Sequence, residues 1–327
     1  MRANHGRTAA ILAALALLLA TAPVSAAPQL TRLSIATGTT GGVYYPVGGA
    51  MAQIWNQFVP GVEAVAEATG ASVENLRLIE RGESQVGLVQ GDVAYNAYYG
   101  KERFEGRPIN VRTLLVMYPN VYHAVSLKSI AQRLDLQRFS DVKGRRFSVG
   151  PPGSGNELTT SQVFEALGMS FNDIRVQRLS YAETARALRE GRLDAGSWVV
   201  GVGNATLLEL DATHPIFLIP ITGEERQKVL DRYPYYRPFT IPTGIYPSVT
   251  EPVETIALWN VVVVRADMPE EQAYQLARAI YEHLDVIERV YAPGAPYFTL
   301  ENLKNSPVPL HPGVVRYAQE RGVDVGR

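Results

Sequence analysis

Short apolar runs alternate along this chain with stretches in which apolar residues recur every three or four positions. Residues 33–37 form an apolar run of strand length. Past a glycine-rich turn, Val47, Ala50, Met51, Ile54, Trp55 and Phe58 recur at helical spacing and predict a helix with one apolar face. Residues 86–90, 114–118, 146–150, 174–179, 194–200, 216–219 and 256–264 read as further strands. Between them, helices are predicted after "PPGSGNE" as far as residue 167, over 182–190, and as one long element over 270–291. Strands that alternate with helices predict an α/β fold, with a mainly parallel sheet covered on both faces.

Strand, glycine-rich turn and helix follow one another twice in the same grammar, in "SIATGTTGGVYYPVGGA" and in "FSVGPPGSGNELTTSQVFEAL". Each loop delivers backbone N–H groups at a helix start, where the first-turn donors lack partners and the dipole end is positive. Small residues let an anion approach that backbone closely. Neither loop is a nucleotide motif, because no Lys-Ser/Thr follows the glycines and the G-x-G-x-x-G spacing is absent. "GSG" at 153–155 is not the G-x-S-x-G elbow of a hydrolase. Taken singly, either loop is accounted for by tight turns and close packing. Paired in one chain, they predict a cleft for a small anion, with room in the reading for a dicarboxylate that has one carboxylate at each loop.

Composition and the chain start narrow the setting. Arg2 and Arg7, the apolar run 9–20 and the small residues "VSA" at 24–26 predict a secretory signal peptide over 1–26. No other stretch has the length of a membrane-spanning helix. The chain contains no cysteine, which excludes disulfides, thiolate metal sites and a cysteine nucleophile. It also leaves no thiol for a lipid anchor, so a free periplasmic protein is expected. A formal net charge of −1 argues against nucleic acid or a membrane surface as partner. His123, His214, His283 and His311 have no metal-ligand spacing, no Ser/His/Asp order supports hydrolysis, and no cofactor is expected.

The segments "ATGTTGGVYYPVGGAMAQIWN", "EATGASVENLRLIERGESQVGLVQGDVAYNAYYG", "YPNVYHAV", "DVKGRRFSVGPPGSGNELTTSQVFEALGM", "RYPYYRPFTIPTGIYP" and "PVPLHPGVVRYAQERG" occur in that order. Together they resemble the TAXI family of TRAP-associated extracytoplasmic solute receptors, over essentially the whole chain after the signal. The resemblance implies a periplasmic binding protein of type II, with two α/β lobes joined by hinge strands and the ligand cleft between them. It also implies a monomer that binds a small carboxylate, such as glutamate or 2-oxoglutarate, and delivers it to a TRAP-type membrane permease. One lobe is then built from 27–118 and 246–327 and the other from 119–245. The crossings are expected near 118–122 and 243–247.

In that frame Thr39, Thr40, Gly41 and Gly42 are expected to offer donors to the ligand. Tyr44 or Tyr45 is expected either to lay its ring on it or to pack in the core. By the family pattern Asn75 points to ligand; by local chemistry it serves equally as a helix cap. Gln90, at a strand's carboxyl end, is preferred to Asp92, whose charge would repel a carboxylate. Ser154, Gly155 and Asn156 are expected from the second lobe, and Ser197 with Trp198 completes the set. After "LDA" the chain departs from the family pattern, reading "GSWVVGVGNATLLEL" with Trp198 as its lone aromatic residue and no proline. The carboxylate preference and the ligand role of Trp198 are least supported there. A ligand-sensing module for a signalling partner, and an exported enzyme acting on small acids, are the competing expectations.

Overall fold

The protein is described by a computed structural model over residues 30–326; the signal peptide expected at 1–26 lies outside these residues. Its strands are β1 (Thr31–Ala36), β2 (Val62–Glu67), β3 (Val86–Gln90), β4 (Val111–Leu127), β5 (Arg146–Ser148), β6 (Arg175–Gln177), β7 (Ala195–Val200), β8 (Ile216–Ile219), β9 (Arg237–Ile241) and β10 (Val253–Arg265). All ten join in one sheet of order β2-β1-β3-β10-β4-β7-β5-β6, with β8 paired to β4 and β9 to β10. Pairing is parallel among β1, β2 and β3 and again among β5, β6 and β7. Where β4 and β10 enter, it is antiparallel. Every residue of β3 ("VGLVQ") and β7 ("AGSWVV") is buried, as helices on both faces of a sheet require of a strand.

The apolar residues separate into cores along this sheet. One gathers Ile35, Met51, Trp55, Leu88, Val262 and Leu276, from both ends of the chain; the Trp55 indole donates to the Leu276 carbonyl at 2.9 Å. In the other half, Phe139, Phe147 and Phe164 form one cluster and Leu188, Trp198 and Tyr246 another. β4 and β10 run through both halves. The result is two α/β lobes joined by shared strands with a cleft between them, the type II arrangement of periplasmic binding proteins.

Two details differ from the sequence expectations, the long helix and the second crossing. The long helix at 270–291 is two, Glu270–Glu282 and Leu284–Val290, because His283 leaves helical geometry at φ −134°, ψ 40°. Its ring stacks on Phe58 at 3.4 Å. The first crossing is β4, which passes through Pro119 without ending. Pro119 faces Trp259, and the register of β10 shifts between Trp259 and Val261, so the missing N–H falls at a bulge. The second crossing is β10 itself and not 243–247. Ile241, Tyr246 and Val249 pack into a core of the second lobe, the Tyr246 hydroxyl bonds the His123 ring at 3.1 Å, and β9 pairs with the start of β10.

Candidate functional site

The first glycine-rich loop leads from β1 into the Tyr44–Phe58 helix, which no side chain caps. Pro46 carries no N–H, so the donors at this helix start are those of Val43, Tyr44 and Tyr45. Gly48 lets the helix lie close on β1: a Cβ there would stand 2.4 Å from Thr37 Cγ2. In the second loop Gly150 and Gly153 adopt φ values of +91° and +74°, which favour glycine. Ser154 then caps the Gly155–Ala166 helix, its Oγ accepting from the Glu157 N–H at 3.1 Å.

Glu157 closes this helix start from outside. Its carboxylate accepts from the Gly153 N–H at 3.0 Å and pairs with Arg178 at 2.7 Å and Arg103 at 3.0 Å. Burial pushes its carboxyl upward, but Arg178, the Gly153 N–H and Arg103 outweigh this and hold it below the ordinary value. Arg103 belongs to the first lobe and Glu157 to the second, so the pair spans the cleft.

Between the two helix starts lies a cavity of about 40 Å³. Of the expected residues, Thr39, Gly42, Tyr44, Gln90, Ser154, Gly155 and Asn156 line it. Tyr118 and Asn120 on β4, Tyr181 at a helix start, Val199 and Val200 ending β7, and the Gly70–Ala71 turn join them without having been singled out. Tyr118 and Asn120 stood in the segment read as hinge, in and beside "YPNVY". Tyr181 follows Ser180, whose capping box with Glu183 is legible in "SYAE".

The remaining expected residues stand elsewhere. Thr40 is exposed, and Tyr45 is 38% exposed on the outer face of its helix. The Gly41 carbonyl accepts from Asn204 Nδ2 at 3.0 Å and Thr206 Oγ1 at 2.8 Å, a seam between the lobes beside the cavity. Asn75 is wholly buried and spent on the protein. Its Nδ2 donates to the carbonyls of Ala36, Thr37 and Leu88 at 3.1, 2.7 and 2.7 Å, and its Oδ1 accepts from Thr69 at 2.6 Å. It staples the carboxyl ends of β1 and β3 and does not line the cavity. Ser197 bonds Thr160 Oγ1 at 2.9 Å behind the second loop. Trp198 packs in the core, its ring stacked on Tyr181 at 5.9 Å. β7 continues two residues past Trp198, so Val199 and Val200 reach the cavity in its place.

A second seam joins the lobes behind Gln90. Gln90 Nε2 donates to Thr159 Oγ1 at 2.9 Å, and Thr159 Oγ1 donates to Asp92 at 2.9 Å. Tyr236 donates to Asp92 at 3.0 Å and also bonds Gln162. The Val93 N–H donates to Asp92 at 2.7 Å. Burial pushes the Asp92 carboxyl up to about 6, against the pull of these donors, none of which is a cation. Gly155 permits the seam, since a Cβ there would stand 2.4 Å from the Gln90 carboxamide.

Among solved structures, a protein from Bordetella bronchiseptica RB50 has the same fold, with a TM-score of 0.51 at 11% identity over 89% of this chain and 98% of that one. The periplasmic aliphatic sulphonate binding protein SsuA from Escherichia coli matches at 12% identity over 90% of this chain and 91% of its own, with a TM-score of 0.45. A nutrient binding protein from Burkholderia cenocepacia, bound to methionine, matches at 15% identity over 79% and 95%, also at 0.45. No helix among the described residues is long and apolar enough to cross a membrane. The profile of the NMT1-like family matches residues 35–322, and the chain belongs to that family.

Proposed function

We propose that this protein is a periplasmic solute receptor of the TAXI type, which captures a small carboxylate by closing its two lobes and delivers it to a TRAP-type permease. The observation that carries the reading is the pairing of two glycine-rich helix starts, one from each lobe, across a single cavity. Such starts hold an anion with backbone donors and the positive ends of helix dipoles. Ligand favours the closed state because only there do both lobes touch it. The TRAP partner rests on the segments that resemble TAXI receptors.

The test is a melting-temperature screen on protein unfolded and refolded to strip bound solute. A carboxylate at about a hundred times its Kd should add about 2.7 kcal/mol of stability, because it binds only the folded chain. A panel of mono- and dicarboxylates, amino acids included, that leaves the melting temperature unmoved overturns the proposal.

A further inference from the structure

Within the carboxylate reading, on which this step rests, the unspent polar groups of the cavity say which kind of acid fits. Asn156 is 2% exposed and lines the cavity. Its Nδ2 donates to the Ser197 carbonyl at 2.9 Å, which fixes the amide so that Oδ1 is the atom left, and Oδ1 accepts nothing from the protein. Tyr118, 1% exposed, lines the same cavity with a hydroxyl that has no partner. The other two tyrosine hydroxyls there are spent, Tyr44 donating to Asn260 Oδ1 and Tyr181 to the Val199 carbonyl. A buried acceptor left without a donor is costly, and a solute N–H or O–H relieves it.

Charge and size set the rest. No Lys, Arg or His lines the cavity among the described residues, and the guanidinium groups of Arg103 and Arg178 are held by Glu157. The helix starts provide for one carboxylate; a second would be buried without a countercharge. Val43, Pro151, Val199 and Val200 give apolar wall, and about 40 Å³ holds only a short body, one water needing roughly 10–15 Å³ on this measure. We infer that the solute is a short aliphatic monocarboxylate with a hydroxyl or amino donor beside the carboxylate, which meets Asn156 Oδ1 and Tyr118.

Calorimetric titration of the stripped protein with 2-hydroxybutyrate, 2-aminobutyrate, butyrate and 2-hydroxyglutarate tests this. One of the two donor-bearing monocarboxylates should bind about tenfold tighter than butyrate, which lacks the donor, and than 2-hydroxyglutarate, which adds a second carboxylate. Which of the two wins separates a hydroxy acid from an amino acid. Tyr118→Phe should leave the unliganded melting temperature unchanged or raised, since the hydroxyl has no partner to lose. It should weaken the donor-bearing acid about fivefold or more and butyrate little. Butyrate or the dicarboxylate binding as tightly as the best donor-bearing acid overturns the inference and leaves the receptor reading standing. Silence from every carboxylate overturns both.

Discussion

Asp92 sits where the lobes meet, and its titration should be visible in stability. Its folded value of about 6 lies above the 3.8 of an unperturbed aspartate, so the native state holds a proton more tightly than the unfolded chain. The contribution from this carboxyl is therefore complete below the unfolded value and is lost as pH rises through about 6. At 1.36 kcal/mol per pKa unit, a shift of about two units corresponds to a loss of about 3 kcal/mol between about pH 4 and pH 7.5. Asp92→Asn keeps the shape and removes the charge. Urea unfolding of both proteins at a series of pH values gives the difference between them. Glu157 and Asp194, whose carboxyls are held below their ordinary values, titrate in both proteins and cancel. The variant should gain about 3 kcal/mol on the wild type across that range. A difference that stays flat, or that grows toward acid pH, would refute the assignment of an uncompensated buried carboxyl at this seam.

Two substitutions separate the frame from the cleft. Asn75→Ala removes a buried amide that satisfies three carbonyls and should cost about 2–4 kcal/mol of folding stability by chemical denaturation. Normal stability with lost solute binding would return Asn75 to the ligand. Gly155→Ala places a methyl against the Gln90 carboxamide and forces it off Thr159. By calorimetry, affinity for the best solute should fall about tenfold, and the crowding should lower the stability of the unliganded protein by about 1–3 kcal/mol. Unchanged affinity would show that the Gln90 seam forms independently of closure.

Much of the fold was legible because buried strands are continuous apolar runs: "VGLVQ" and "AGSWVV" announce themselves without help from neighbours. Both glycine-rich loops at the cavity were legible for the same kind of reason, their glycines and prolines being local signals. What distance brings together was not. Tyr118 and Asn120 read as hinge because nothing local says that β4 carries them past the mouths of both loops. Trp198 looked like a binding residue because its strand's end could not be set to the residue. The break at His283 has neither glycine nor proline, and the apolar period runs through it, since both helices pack on one core. Asn75 shows the opposite limit: its place at a helix start was readable, but the three carbonyls it satisfies come from two strands.

The first lobe draws its core from both ends of the chain, with Trp55 bonded to Leu276 across 221 positions of sequence. The second lobe is one nearly continuous stretch. The consequence is an order of events during folding. The second lobe contains all it needs as soon as β9 has met the start of β10. The first must wait for the last helix, Pro312–Glu320, and close a loop around a finished neighbour. Long-range closure of that kind is slow, so truncation near the carboxyl end should release a folded second lobe attached to an unfinished first.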